Sequence, residues 1–507
     1  MISATVWVPR GFAAEFPQHY TLDEEEVDRI SNLAQLRLDD ALEDYNEAKQ
    51  EADQDQGDED EDEETNVMVV DEEGDQKIIA QLATNDTDDL KEYDLDNYDK
   101  DDGDGQPSMF SNIKSLAYYG SNTEDPYIVL PKDKSELEED EREELQILES
   151  DNLLLVCKTQ DNLSHMDIYV YEETDANLYV HHDILLPSFP LCVEWINARV
   201  GRTRSESNQT GNFAAIGTFE PSIEIWNLDV VDEMYPDAVL GQEVEVETTT
   251  KSKSKSKSKS KSKTKNKLKP NQKYHVDAVL ALAANKHNRH LLLSGSADKT
   301  IKLWDLNTAN CAQSYTVHDD KVCALAWHPR DATVVLSGSY DATALVFDVR
   351  AHTGEQRKFT VDTDVSGISW DPHTEYNIYV STESGKVHYF DVRNTSAKPI
   401  WTLQAHDSEV SALAVNENVK GLFATGSTDQ FVKVWNVTEK GPSIHSSRDM
   451  GVGKVFTASW LPDKESARTL AVGGSNGVVQ VWDSKTNSQV RAENEDWEDD
   501  EEEEEEE

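Results

Sequence analysis

The stretch that decides the fold is VCALAWHPRDATVVLSGSYDATALVFD, residues 322–348. Its opening run, Val322-Cys-Ala-Leu-Ala-Trp327, is almost continuously apolar, the pattern of a strand buried on both faces. A polar turn from His328 to Asp331 follows, then a second strand, Val334-Val-Leu-Ser-Gly338. A tight turn containing Asp341 leads into a third, Ala344-Leu-Val-Phe347. The same order of events recurs at 279–304, 365–390, 410–435 and 455–482.

Each unit ends in an aromatic followed by Asp, Asn or Glu: Tyr171-Glu172, Trp226-Asn227, Trp304-Asp305, Phe347-Asp348, Phe390-Asp391, Trp435-Asn436 and Trp482-Asp483. Successive aromatics stand 55, 78, 43, 43, 45 and 47 residues apart. The last four intervals are close to one four-stranded propeller blade, roughly 40–45 residues. The two long intervals contain insertions, a polar one at 202–211 and a Lys/Ser tract at 248–271.

His275, Ser294, Asp298 and Trp304 in one unit, and His406, Thr425, Asp429 and Trp435 in another, fall at matching places. They resemble the WD-repeat pattern, in which a His, a hydroxyl, an Asp and the third-strand Trp share one hydrogen-bonded network. Such groups satisfy one another when buried. A third unit offers His318, Ser337 and Asp341 but has Phe347 in place of Trp, so its network must be incomplete; the unit ending at Phe390 keeps neither His nor Trp. The role of all these residues is structural rather than catalytic.

The predicted fold is all-β, a seven-bladed WD-repeat propeller over 111–491; the length also accommodates eight blades. The first blade, near Leu153 to Tyr171, has the weakest signal, and the apolar segment Tyr127 to Leu130 either belongs to it or closes the ring. An acidic N-terminal extension is expected over 1–110 and an acidic tail over 492–507.

Charge supports this division. The chain carries 47 Lys and Arg against 101 Asp and Glu, a formal −54. Residues 1–150 hold −35 of it, residues 492–507 hold −13, and 151–491 only −6. Segments such as Glu51 to Glu64 and Glu493 to Glu507 bury too little apolar surface to offset the entropy of ordering, and are expected to be disordered when alone. Within the extension, Thr21-Leu-Asp-Glu24 forms a capping box ahead of apolar residues at three- and four-residue steps, predicting an amphipathic helix near 22–49. Trp7, Phe12 and Phe16, and the island containing Tyr93 and Tyr98, are candidate partner-docking residues.

Four cysteines without metal or C-x-x-C spacing indicate neither a disulfide framework nor a zinc site, which fits a reducing compartment. The longest apolar run, Ala278 to Ala284, is seven residues, against the roughly 20 a bilayer requires; together with the absence of a signal-peptide pattern, this leads us to expect a soluble intracellular protein. Gly473-Gly-Ser-Asn-Gly477 matches the nucleophile-elbow pattern but sits where the other repeats place a hairpin turn, not before a helix. Gly451-Val-Gly-Lys454 lacks P-loop spacing, and the run Asp99 to Gly105 has the wrong register for a calcium loop. No catalytic residue, cofactor, metal or small-molecule substrate is expected.

The Lys/Ser tract holds ten lysines between Lys251 and Lys269. It reads as a solvated insertion, as a nuclear-import signal, or as an electrostatic arm for RNA, with Lys263, Lys265, Lys267, Lys269 and Lys273 as the candidate contacts. The acidic tail reads as a site for basic partners, as an internal screen for that arm, or as a solubilising tail.

Met1-Ile-Ser-Ala-Thr-Val-Trp-Val-Pro-Arg-Gly11, Tyr20-Thr-Leu-Asp-Glu-Glu-Glu-Val27, Tyr93-Asp-Leu-Asp-Asn-Tyr-Asp99 and His181-His-Asp-Ile-Leu-Leu-Pro-Ser-Phe-Pro190 together resemble the periodic tryptophan protein family, a nuclear WD-repeat family. The resemblance implies a nucleolar scaffold in assembly of the large ribosomal subunit and maturation of its RNA. Its implied partners are assembly factors, ribosomal proteins and pre-rRNA, with no membrane. The alternative is a chromatin-associated adaptor or chaperone for histones, also linked to the family.

Overall fold

The computed structural model describes residues 1–20, 145–174, 176–200, 210–241, 271–351, 356–394, 396–438 and 440–484. The helix expected near 22–49, the segment at 127–130, Tyr93, Tyr98, Lys263, Lys265, Lys267, Lys269 and the acidic tail lie outside these residues.

Seven antiparallel sheets form the seven blades of a propeller. From the inner strand outward, blade 1 is Ile2–Val8, Asn152–Gln160, Leu163–Glu172 and Asn177–Leu186; blade 2 is Pro190–Ile196, Phe213–Thr218, Ile223–Asn227 and Ala238–Leu240. Blade 3 runs through Val279–Ala284, Leu291–Ser296, Ile301–Asp305 and Asn310–Tyr315. Blade 4 runs through Val322–Trp327, Val334–Ser339, Thr343–Asp348 and Arg357–Thr360. Blade 5 comprises Val365–Trp370, Asn377–Thr382, Lys386–Asp391 and Trp401–Gln404, and blade 6 Val410–Val415, Leu422–Ser427, Phe431–Thr438 and Gly441–Asp449. Blade 7 has three strands among the described residues, Val455–Trp460, Thr469–Gly474 and Val479–Asp483.

The N-terminus corrects the expected boundaries. Ile2–Val8 is not part of an extension; it is the inner strand of blade 1, paired antiparallel with Asn152–Gln160 so that Trp7 faces Leu154 and Val8 faces Leu153. It lies between the inner strands of blades 7 and 2, which closes the ring. Without it, Asn152–Gln160 would present an open edge in the middle of the ring. Burial supplies the driving force, since Ile2, Trp7 and Val8 are 0%, 5% and 1% exposed. Trp7, expected as a docking residue, is therefore a core residue of the propeller.

A shared irregularity fixes how the blades interlock. Every inner strand carries a register shift after its first residue: Ile2, Pro190, Val279, Val322, Val365, Val410 and Val455. Such a bulge re-aims the strand, and the first residue packs onto the second strand of the preceding blade. At five of the junctions a glycine, Gly217, Gly295, Gly338, Gly426 or Gly473, makes room: a Cβ on Gly295 would lie 2.8 Å from Val322 Cγ1, and one on Gly338 2.8 Å from Val365 Cγ1. The residue at the shift then reaches forward. Cys323 Sγ donates to the Val365 carbonyl at 3.0 Å, Ser366 Oγ to the Val410 carbonyl at 2.7 Å, and Ser411 Oγ to that of Val455.

Candidate functional site

In blade 3 the structure brings four sequence-selected residues together. Trp304 Nε1 donates to Ser294 Oγ at 2.8 Å, Ser294 Oγ lies 2.6 Å from His275 Nε2, and His275 Nδ1 lies 2.9 Å from Asp298 Oδ2. Burial keeps His275 neutral, so Nδ1 donates to the Asp298 carboxylate, which cannot donate in return, and Nε2 accepts the hydroxyl proton of Ser294 while Ser294 accepts from the indole. Thr300 completes the turn, donating its backbone N–H and its hydroxyl to Asp298 Oδ1 at 2.9 and 2.6 Å.

Blade 6 repeats this arrangement. Trp435 Nε1 donates to Thr425 Oγ1 at 2.9 Å, Thr425 Oγ1 is 2.9 Å from His406 Nε2, and His406 Nδ1 is 2.9 Å from Asp429. In blade 4, His318 keeps Asp341 at 3.0 Å and Ser337 at 2.8 Å, while Phe347 packs against Tyr315 at a centroid distance of 5.4 Å. The missing indole removes one leg and leaves the other two intact.

Burial lowers the pKa of all three histidines, against the pull of their aspartates. At Asp298 burial acts upward but is outweighed by hydrogen bonds from His275 and Thr300, which push the carboxyl down to about 2. The networks are thus satisfied structural units, with the imidazoles held neutral and pointed inward.

Other blades solve the same place differently. Blade 5 puts Val361, Val380 and Phe390 where blade 3 has His275, Ser294 and Trp304; all three are buried, so no polar group there needs a partner. In blade 2 the Trp226 indole donates to Glu224 at 3.2 Å instead of to a hydroxyl.

A second set of tryptophans went unrecognised in the sequence. Trp327, Trp370 and Trp460 end the inner strands of their blades and Trp7 stands one residue before the end of its own, and each indole N–H donates to a carbonyl of the preceding inner strand. The acceptors are Ser459 at 3.1 Å, Ala283 at 2.9 Å, Ala326 at 3.3 Å and Ala414 at 3.1 Å. Trp195, at the same place in blade 2, donates to Asn212 at 2.9 Å. The overlooked signal is spacing: Ile2 to Trp7, Pro190 to Trp195, Val322 to Trp327, Val365 to Trp370 and Val455 to Trp460 are each five residues apart.

The remaining described candidates lie at the surface or close to it. Phe12 is 37% exposed, with its ring edge-on to Trp195 at 4.9 Å. Phe16 is half-buried, and Lys273 is exposed beside Asn271, whose side chain accepts its backbone N–H. The loops joining first and second strands gather on one face of the ring, and the turns joining second and third strands gather on the other. On the turn face, burial and the negative charges of Glu409, Asp364 and Glu383 raise the Tyr340 phenol, and the Glu409 carboxyl is raised by burial and by Glu383. At the inner strands, one pocket is lined by the Lys286–Glu417 ion pair at 2.5 Å and by Glu194, raised by burial to about 7 although it accepts the Ala284 N–H.

The described residues offer poor tools for covalent chemistry. Burial pushes the Cys192 and Cys323 thiols up to about 12 and raises Cys157 further, so none is a ready thiolate. The Gly473 to Gly477 pattern forms a strand end and hairpin turn, with Gly477 at φ 73° and Ser475 Oγ accepting the Lys454 N–H at 3.0 Å. Among the described residues, no group of three His, Cys, Asp or Glu side chains is placed to hold a metal ion.

The blade order and networks define a WD-repeat propeller, a class of scaffold that is generally non-catalytic. The WD domain, G-beta repeat family matches residues 267–305, 309–348 and 397–436, the blades that carry the three His networks. The chain is 41% identical to Periodic tryptophan protein 1 of Saccharomyces cerevisiae, over 97% of this chain and 89% of that one. It is 46% identical to an uncharacterized WD repeat-containing protein of Schizosaccharomyces pombe, covering 97% and 90%, and 31% identical to the Periodic tryptophan protein 1 homolog of Drosophila melanogaster, covering 93% and 91%. The chain belongs to the Periodic tryptophan protein 1 family.

Proposed function

We propose that this protein is a non-catalytic scaffold in nucleolar assembly of the large ribosomal subunit and in pre-rRNA processing. The observation that carries the reading is its kinship with the Periodic tryptophan protein 1 family over nearly the whole chain, combined with a propeller whose repeated polar groups are spent on structure. A rigid ring with two faces and an outer rim holds several partners at once. Assembly factors, ribosomal proteins and pre-rRNA are the partners this reading assigns, and the nucleolus is the compartment.

The test is to isolate the tagged protein with and without RNase, at moderate salt, and to identify what stays bound. Large-subunit assembly proteins and rRNA precursors support the reading; core histones alone contradict it. The acidic surroundings of Tyr340 favour one second reading, a chromatin adaptor that takes a basic histone peptide on the turn face. Stoichiometric histones that resist RNase are its signature.

A further inference from the structure

On the loop face, blades 4 and 5 enclose a groove of about 520 Å³, within the range that holds a nucleotide-sized group. Three arginines from separate elements converge on it: Arg330 from the first loop of blade 4, Arg357 from its outer strand and Arg393 from the third-to-fourth-strand loop of blade 5. Tyr376, 43% exposed, stands beside them with the Arg393 guanidinium 4.5 Å from its ring centroid. Trp370 and His328 form the floor, their rings edge-on at 4.6 Å.

The carboxylates at this site are committed internally. Glu375 pairs with Arg330, and Asp331 Oδ1 accepts from the N–H and hydroxyl of Thr333 at 3.0 and 2.9 Å. Arg393 is anchored by Asp391 at 2.9 Å while its planar group covers Tyr376. Arg357 hydrogen-bonds the Val392 carbonyl and, behind the hydrogen bond from Arg393, helps to hold the nearby Asp391 carboxyl below its usual range, without a direct ion pair among the described residues. On the neighbouring blade-3 loop, Arg289 is exposed and has no hydrogen bond or ion pair among the described residues. Asp331, Glu375 and Asp391 balance the three arginines in charge, so within a chain of formal charge −54 the groove is a near-neutral patch that sets guanidinium donors beside an exposed aromatic ring.

We propose that this inter-blade groove binds a segment of single-stranded RNA, with Arg357 toward a phosphate and the Tyr376–Arg393 stack against a base. Guanidinium forks match phosphate oxygens, and single-stranded RNA is read by stacking on aromatic and guanidinium planes. An acidic peptide uses the charge but not the exposed Tyr376 ring, so RNA fits the whole site better. The inference deepens the ribosome-assembly reading and rests on it for the source of the RNA.

The test is fluorescence anisotropy of a labelled oligouridine against the full chain, over a salt series. Wild type is compared with Arg357→Glu, Arg393→Glu, Tyr376→Ala and Tyr376→Phe, and with a Gln replacement of Lys263, Lys265, Lys267, Lys269 and Lys273. The groove predicts about tenfold weaker binding for Tyr376→Ala and near-wild-type binding for Tyr376→Phe. In the Arg variants the salt slope falls by about 0.7 for each phosphate no longer neutralised. The multiple-Lys variant keeps its sensitivity to Tyr376→Ala. Melting temperatures near wild type show that the variants are folded. Equal RNA affinity in wild type and groove variants overturns the proposal, as does tight groove-dependent binding of a labelled poly-glutamate peptide in place of RNA. Recovery of large-subunit precursors with wild type and groove variants alike, with unchanged RNA affinity, sinks the groove and leaves the assembly reading standing. Groove-dependent RNA binding without such precursors does the reverse.

Discussion

The indole N–H of Trp7 donates to the backbone carbonyl of Ser459 at 3.1 Å, across 452 residues of sequence. Thr5 Oγ1 lies 2.8 Å from Thr457 Oγ1 on the same pair of strands. The first strand of the chain is thereby stitched to its last blade, and the ring is closed by pairings of very high sequence separation. Closing so long a loop is entropically unfavourable, so the closure depends on the burial of Ile2, Trp7 and Val8.

Trp7→Ala should destabilise the propeller by about 3–5 kcal/mol, the usual cost of emptying a buried aromatic site. Trp7→Phe keeps most of the apolar packing and loses the hydrogen bond, worth roughly 1 kcal/mol. Urea denaturation of the two variants checks both. A Trp7→Ala midpoint close to wild type would show that the ring closes without this strand.

Acid should loosen the three networks in a definite window. The folded-state pKa values of His275, His318 and His406 are depressed, so the unfolded chain binds more protons below its histidine pKa, about 6.5. Their contribution is fully present above that pH and is lost as pH falls through the folded values. Asp298, at about 2 in the fold, adds a second loss as pH falls from the unfolded aspartate value toward 2. Melting temperature followed downward from neutral pH should therefore decline first in the histidine range. Replacing His275, His318 and His406 by Gln should flatten that first decline, whatever it does to the absolute stability.

Ser294→Ala removes the acceptor of the Trp304 indole and the donor to His275. Leaving these buried groups unpaired should cost about 1–3 kcal/mol. Val380→Ala, at the corresponding place in blade 5, strands no polar group. Comparing the chemical shift of the Trp304 indole proton with the unfolding midpoint separates the lost hydrogen bond from a general loosening.

Gly426 tests the interlock between blades. A Cβ there would lie 2.4 Å from Val455 Cγ1, so Gly426→Ala should overpack this junction and cost about 1–3 kcal/mol. Val455→Ala removes the clashing methyl groups. In the double variant the two costs should sum to less than the singles predict, a coupling that a double-mutant cycle reads directly.

Much of this architecture was legible because the repeat is local. His275, Ser294, Asp298 and Trp304 lie within one blade, and the 43-residue steps to Phe347 and Phe390 carry the blade spacing. Ile2–Val8 was misread because the acidic segment between residue 8 and Asn152 hides its partner; only the five-residue step from Ile2 to Trp7, shared with Val365 to Trp370, betrays a blade strand. The arginine groove was invisible for a related reason. Arg330, Arg357 and Arg393 stand 27 and 36 residues apart, so no charge run announces them and only the blade stacking brings them together. The Lys/Ser tract, a conspicuous charge run, drew attention that the dispersed site did not.

The functional account stands or falls on ribosomal subunit balance. Acute depletion of this protein, followed by sucrose-gradient analysis of free subunits together with blots for rRNA precursors, measures it directly. Assembly scaffolding predicts a selective fall in free large subunits relative to small ones, with unprocessed large-subunit precursors accumulating. A parallel fall of both subunits with lower precursor synthesis, or no change in either, would contradict it.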